Sequence, residues 1–446
     1  MPVLPVFSVA LQLVVLTHAT VVDPDAAQPR RDQTIVMRGA RIEAVGPSAS
    51  TPVPRGARVV DATGKFVIPG MWDMHVHTDF PGGRTLLPLY VAHGVTGVRD
   101  MNGRLDVLRG WQREVAAGTL VGPRMVVSGP YLVGRALPPA FGMPHHVVTD
   151  SASAVAGVTA VAAAGADFIK VHNWIPAEAY RVVAAEAKRR GMVFAGHVAP
   201  PTTVVQAAEA GQRSQEHLYA FTNVCGARDS VTVAAGLPIQ LFILGGCTST
   251  SQAAVYAALA RQRTWITPTL VVSQVLATMR PSIVPGDSTA QLYPDALMRR
   301  IAMEMELPPV PPPAAVAAGD VLFRTRLAVV RGLRDAGVPI LGGTDAPLVA
   351  GGPGKSLVGE LRLLVQAGMS PREALRTVTT EPARYFGTDT VGVVASRAVA
   401  DLVVLDADPL ADIGNVGRVH LVVAGGRVYD RAAREALVEA ARQAAR

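Results

Sequence analysis

Two histidines stand two apart in Asp73-Met74-His75-Val76-His77. Along an extended strand, alternate residues face the same side, so both imidazoles can close on one metal ion. An isolated pair of this kind carries little weight, but four further groups downstream add to it. Lys170 lies in Asp167-Phe168-Ile169-Lys170-Val171-His172, an apolar, β-rich stretch. Burying an ammonium group is costly. The chain also avoids lysine: only four of its 42 basic residues are Lys, at positions 65, 170, 188 and 355. Its use here implies that the amine itself is needed, because an arginine would not deprotonate. A desolvated amine beside cations sheds its proton readily. It can then act as a base, or combine with carbon dioxide to give a carbamate whose oxygens bridge two metals. The plain alternative is a lysine whose stem snorkels at a strand end. His197 in Ala195-Gly196-His197-Val198, His217 in Gln215-Glu216-His217-Leu218-Tyr219, and Asp345 in Gly342-Gly343-Thr344-Asp345-Ala346-Pro347 complete the set.

Imidazole and carboxylate donors suit Zn2+ and related divalent ions. Six candidate ligands exceed what one tetrahedral zinc needs, so two metals about 3.5–4 Å apart fit better. Such a pair lowers the pKa of a shared water and polarises a carbonyl or phosphoryl oxygen. Asp345 can hold a metal and also take the proton from that water.

The elements that must position these groups follow from the apolar pattern. Eight strands are expected, at 65–77, 95–101, 124–129, 167–172, 192–198, 213–219, 264–272 and 338–347, each candidate ligand falling toward a strand's C-terminal end. Helices are expected between them at 104–117, 151–164, 177–190, 202–210, 251–262, 320–336 and 356–367, several ending in Gly as C-caps do. This alternation predicts an α/β fold of the (β/α)8 TIM barrel type, whose active sites lie at the C-terminal ends of the strands. Short β-branched runs before residue 65 and after 388, with Gly425-Gly426 as a tight turn, predict a small β-sandwich domain built from both termini. The expected divisions are 11–64 with 388–432 for that domain, 65–387 for the barrel that carries the candidate metal ligands, and 433–446 for a C-terminal helix. The long connection at 220–262 is expected to carry extra helices, and the insertion 281–319, which contains Leu-Pro-Pro-Val-Pro-Pro-Pro, an extended surface loop.

Together these residues resemble the amidohydrolase superfamily, in particular its imidazolonepropionase-like and prolidase-like metal-dependent hydrolases. The likeness runs over nearly the whole chain: the split β-sandwich, VIPGMWDMHVH, the strand-4 lysine, the histidines of strands 5 and 6, GGTDAP, and the tail SPREALRTVTTEPARYFG to ADLVVLDADP. The resemblance implies two divalent ions, with Zn2+ the expected metal. His75 and His77 would bind the more buried ion and a carboxylated Lys170 would bridge both. His197 and His217 would bind the second ion. Asp345 would bind the first ion, serve as general base and then protonate the leaving amine. Two departures bear on substrate and metal count. Where prolidase-like members carry a TGGH stretch, this chain reads Ser128-Gly129-Pro130-Tyr131-Leu132-Val133-Gly134. Imidazolonepropionases use one metal, and Lys170 argues for two here. The implied reaction is hydrolysis of an amide C–N bond in a dipeptide or N-acyl amino acid by a metal-bridging hydroxide. A cyclic amide, lactone or phosphotriester hydrolase with the same dinuclear site is the alternative, and a metal-free scaffold protein a further one.

Among the remaining residues, His172 lies two beyond Lys170 and either touches substrate or packs as a core histidine. Tyr219, two beyond His217, either stabilises an oxyanion or packs beneath the insertion. One of Arg99 and Asp100 is expected to form a structural ion pair. His145 and His146 sit in a loop and are expected at the surface. His18, His93 and His420 are expected to be structural, and Met71, Trp72 and Met74 to pack the barrel. The net charge of +7 is dispersed, with no basic stripe interleaved with aromatics, so a small-molecule substrate rather than nucleic acid is expected. No GxGxxG or Walker motif implies a nucleotide. No apolar run reaches the roughly 18 residues of a membrane span. A homo-oligomer fits the barrel class. Residues 1–10 end in Ser8-Val9-Ala10 but lack a positive n-region, which leaves either a truncated signal peptide or a terminal arm. The protein is accordingly expected to be cytoplasmic, or exported in the first case. Cys225 and Cys247 would pair if exported and stay thiols otherwise.

Overall fold

The structure, a computed structural model, describes residues 12–139, 142–198, 201–218, 221, 249–278, 288–305, 313–348 and 351–446. Tyr219, Cys225, Cys247, residues 1–10 and most of the 220–262 connection lie outside the described residues.

Both ends of the chain contribute to one mixed sheet of eight strands. Its order is Arg427–Tyr429, Val419–Ala424, Leu402–Leu405, Phe66–Pro69, Leu13–Val21, Arg30–Arg38, Arg41–Pro47, and Arg58–Asp61 pairs parallel to Leu13–Val21 off this path. The β-branched runs supply side chains for two faces. Val14, Leu16, Ile35, Met37, Val67, Leu402 and Val404 form one apolar cluster, while Ile68, Val403, Leu405 and Val422 join the larger core. The turn at Gly425-Gly426 has φ of 56° and 79°, the paired left-handed conformation of a two-residue hairpin, and it joins partners Ala424 and Arg427. A Cβ on Gly426 would fall 1.8 Å from the Gly39 carbonyl oxygen, so the N- and C-terminal hairpins touch through bare backbone.

The middle of the chain forms parallel strands flanked by helices, a TIM-barrel-like α/β arrangement. Met71–Val76, Val95–Asp100 and Arg124–Val127 make one run. Ile169–Val171, Phe194–Gly196, Ser214–Glu216 and Trp265–Thr267 make a second, pairing in that order. Parallel bridges Ile266–Ile340 and Val76–Ala346 lay the segment around 338–347 between the seventh strand and the first. It forms bridges rather than a continuous strand.

Several boundaries depart from expectation. The expected strand 65–77 divides at Gly70: Phe66–Pro69 pairs with Leu402–Leu405 in the terminal sheet, and only Met71–Val76 enters the parallel one. After Thr267 the chain turns into a helix at Leu270–Thr278, where strand was expected to 272. Two short unexpected strands, Tyr131–Val133 and His145–Val147, pair parallel and extend the second run. The 281–319 insertion, expected as an extended loop, is helical at Asp295–Met305 and again from Pro313, while the proline-rich residues 306–312 lie outside the described residues. The inter-strand helices otherwise match, for example Leu105–Ala117, Ser151–Ala163 and Ala177–Arg189. The C-terminal helix is Arg431–Ala445. Among the described residues no helix is long and apolar enough to cross a membrane.

Candidate metal centre

His75 lies on the first parallel strand and His77 just beyond it, buried and with ring centroids 5.5 Å apart. The 342–346 segment is fastened against them. Asp345 N–H donates to the His75 carbonyl at 2.7 Å, and His77 N–H donates to the Ala346 carbonyl at 2.9 Å. Gly343 permits this approach, because a Cβ there would lie 2.8 Å from the His75 nitrogen. Asp73 anchors the same loop: its carboxylate accepts from Thr344 N–H at 3.0 Å and from the Thr344 hydroxyl at 2.6 Å. Burial pushes the Asp73 carboxyl up to about 7.

Asp345 itself is left-handed, φ 60°, an unfavourable conformation for a residue with a side chain. That backbone aims Oδ1 at 3.2 Å from His77 Nε2 and 3.4 Å from His75 Nε2. His75 Nε2 and Asp345 Oδ1 are nevertheless buried without a hydrogen bond of acceptable geometry. Among the described residues, ligand atoms of His75, His77 and Asp345 lie mutually within 4.8 Å, a trio able to hold one metal ion.

The other sequence-selected groups adjoin this trio. Lys170, on Ile169–Val171, is 0 % exposed, and its Nζ has no hydrogen-bond partner. Burial lowers its pKa to about 8. His217 packs its ring 4.4 Å from His75 and 4.8 Å from His197. Its Nδ1 meets the Thr269 hydroxyl at 2.7 Å, and His197 Nδ1 meets Asn173 Oδ1 at 3.0 Å. Burial, then the Lys170 charge, push His75 down to about 4. Burial likewise drives His197 and His217 well below the usual imidazole range. These rings are therefore neutral near neutral pH, the state that ligates metal. Burial alone would raise Asp345, but the surrounding His217 and His75 outweigh it and hold the carboxyl far below its usual range.

His172 joins the group, with its ring 4.2 Å from His197 and 4.7 Å from Tyr131. Its Nδ1 is buried without a hydrogen bond, and burial pushes it down to about 3. Tyr131, in the stretch that departs from TGGH, is buried beside His77 and His172, and Lys170 Nζ lies 5.9 Å from its ring centroid.

Glu216 was not singled out from sequence. Its Oε2 lies 2.8 Å from His75 Nδ1. A carboxylate only accepts, so His75 carries its proton on Nδ1 and turns Nε2 outward as a lone pair. Burial would raise Glu216, but Arg99 overrides it and holds the carboxyl well below its usual range. The Arg99 Nη2 contacts both Glu216 oxygens at 3.0 Å, and Nη1 donates to Ser214 Oγ at 2.7 Å and to the Tyr385 hydroxyl at 2.9 Å. Arg99 is thus the expected ion-pair member, whereas Asp100 accepts from Thr78 N–H at 2.8 Å and from Asn102 N–H at 3.1 Å. The available signal was a charged residue within each of two expected strands, Arg99 in 95–101 and Glu216 in 213–219. His145 is half-buried on a strand edge rather than at the surface: its Nδ1 meets the Met143 carbonyl at 2.8 Å and its Nε2 accepts from Leu137 N–H at 3.3 Å. Of the histidines expected to be structural, His18 pairs with Asp32 and His420 with Asp406, while His93 is lowered to about 4 by burial.

The family model described as the amidohydrolase family matches residues 66–429. The chain belongs to the amidohydrolase family. Within that family it is 45 % identical over 64 residues to an imidazolonepropionase of Myxococcus xanthus, a match covering 14 % of this chain. The chain spans only 15 % of that relative's length. Among solved structures, a putative prolidase of Bifidobacterium longum superposes with a TM-score of 0.70 at 25 % identity, covering 97 % of this chain and 99 % of the other. A bottromycin amidohydrolase superposes with a TM-score of 0.74 at 23 % identity, over 97 % of this chain and 90 % of that one, a likeness of fold. The family expected from the motifs, and the hydrolase class that goes with it, agree with these matches.

Proposed function

We propose that this amidohydrolase is a metal-dependent enzyme that hydrolyses the C–N amide bond of a small molecule, of the dipeptide or N-acyl amino acid type. One observation carries the reading: the Lys170 amine is wholly buried without a hydrogen bond, amid four imidazoles and a carboxylate, a cost that folding alone does not explain. The donor set fits two divalent ions. His75, His77 and Asp345 would hold one and His197 and His217 the other, while Lys170 as its carbamate would join them; Zn2+ suits these donors best. Bound there, the ions supply Lewis acidity to the scissile carbonyl and make water more acidic. The orphaned His75 Nε2 and Asp345 Oδ1 support this assignment.

The chain's own groups carry the rest. The Asp345 carboxylate accepts a proton as water oxygen adds to the carbonyl carbon. It returns that proton to the departing nitrogen as the C–N bond breaks, giving acid and amine. His172 and Tyr131 face the same space and would orient the substrate, with Tyr219 expected to assist. We read the architecture as a complete (β/α)8 barrel bearing a β-sandwich from both termini, divided as 11–64 with 388–432, 65–387 and 433–446.

Metal analysis of protein prepared with zinc and bicarbonate tests the centre, with about two ions per chain expected. Lys170→Ala and Asp345→Asn are each expected to abolish turnover while leaving circular dichroism unchanged. A hydrolysis screen across N-acyl amino acids, dipeptides, cyclic amides, lactones and phosphotriesters decides the bond. Wild-type rates in either variant, or activity confined to lactones or phosphotriesters, would refute the reading.

A further inference from the structure

The loop after the fourth parallel strand carries an unexplained residue. Trp174 is 42 % exposed, whereas Trp72 and Trp265 are buried and Trp111 is partly buried. Its backbone is left-handed, φ 65°, a conformation a bulky side chain seldom adopts. The neighbours impose it. Gly134 N–H donates to the Asn173 carbonyl at 2.9 Å, and a Cβ on Gly134 would fall 1.8 Å from the Trp174 carbonyl oxygen. Asn173 is the residue that meets His197, and Ile175 is buried, so Trp174 is clamped between two fixed points. Its exposed indole is thus held at the end of the strand that bears Lys170.

A cation lies against that indole. The Arg135 guanidinium carbon stands 3.7 Å from the ring centroid, and among the described residues no carboxylate pairs with Arg135. On the inner side, the indole centroid lies 6.3 Å from that of His172, which is 4.2 Å from His197. The indole and the guanidinium stacked on it therefore stand together on one side of the proposed reaction centre. Strain retained in an exposed aromatic at such a rim points to use in binding.

We propose that Trp174 and Arg135 form a subsite for the leaving portion of the substrate, an aromatic amino acid. Its ring stacks on the indole face that Arg135 leaves open, and its carboxylate meets the guanidinium past the ring's edge. This rests on the amide-hydrolase reading and narrows it to N-acyl aromatic amino acids, or dipeptides ending in one. With both recognition groups assigned to the amine side, the acyl side is left less restricted.

The test separates binding from turnover. The probe is 3-phenylpropionate, which carries ring and carboxylate but no amide; 3-phenylpropanol lacks the charge and butyrate lacks the ring. With the zinc-loaded enzyme, calorimetry is expected to show 3-phenylpropionate binding at least about tenfold more tightly than either control. It is also expected to shield tryptophan emission from acrylamide. Trp174→Gly and Arg135→Ala should each weaken that binding about tenfold, and Trp174→Gly should keep or raise Tm, because glycine accepts the left-handed backbone. Against N-acetylphenylalanine and N-acetylalanine, Trp174→Gly should raise KM for the first alone. Equal binding of the three probes, or unchanged affinity in both variants, would overturn the subsite. Probe binding without turnover of any amide would leave the subsite standing and remove the hydrolase reading instead.

Discussion

At the scale of single residues, His75 is set by its partner on the far side of the ring. Glu216 fixes its proton on Nδ1, and Arg99 keeps Glu216 ionised in a place where burial would protonate it. Glu216→Gln retains the shape but offers either an amide oxygen or an amide N–H, so the tautomer is no longer dictated. Metal affinity measured by chelator competition is expected to fall about 10–100-fold. The fold should also lose stability, since the fully buried Arg99 loses its charged partner. Unchanged affinity would show that Glu216 serves Arg99 alone. The six candidate ligands were legible because each is a titratable group toward the C-terminal end of an expected strand. Glu216 was not, because strand alternation sets it opposite His217. That alternation stops where His217 and Leu218 turn left-handed, φ 70° and 61°, and the side chains of Glu216 and His217 then both reach His75. Tyr131 was quoted only as a departure from a motif, and its place beside His77 and His172 depends on a strand pairing that three residues do not announce.

At the scale of elements, the helix Leu270–Thr278 starts against a carboxylate from another helix. Val271 N–H donates to Glu360 Oε2 at 2.9 Å, Glu360 lying within Ser356–Gln366. Burial raises the Glu360 carboxyl from 4.5 to about 8. Between those values the folded chain holds a proton that the unfolded chain has released, so stability declines as pH rises from about 4.5 to about 8. Glu360→Gln removes this proton linkage. Melting temperatures at pH 5 and pH 9 should lie closer together in the variant than in the parent, with the gain at the alkaline end. A wider gap would reverse the assignment. Helix positions were readable from apolar spacing and glycine caps. The boundary at Leu270 was not, because Thr-Leu-Val-Val suits a strand and only the surrounding packing makes it helical.

At the scale of the whole molecule, the terminal sheet and the parallel strands share a core. Leu402 and Val404 point into the sheet's own cluster, Val403 and Leu405 into the larger one, and Arg124 Nε meets Asp401 Oδ2 at 2.8 Å across the boundary. Asp401 also accepts from Gly425 N–H at 2.6 Å. Asp401→Ala takes away the carboxylate that Arg124 of the parallel strands and the C-terminal hairpin share. A loss of about 3 kcal/mol is expected in a single denaturation transition. Two separate transitions would show that the layers unfold independently.

The pairing of Phe66–Pro69 with Leu402–Leu405 also fixes an order of events during synthesis. A ribosome delivers the first of these strands long before the second. Until then the nascent chain presents an unsatisfied β edge, the kind of surface on which chains stick to one another. Stalled or prematurely terminated translation would thus release a product able to pair with its siblings, and folding helpers that shield such edges should matter most in that interval.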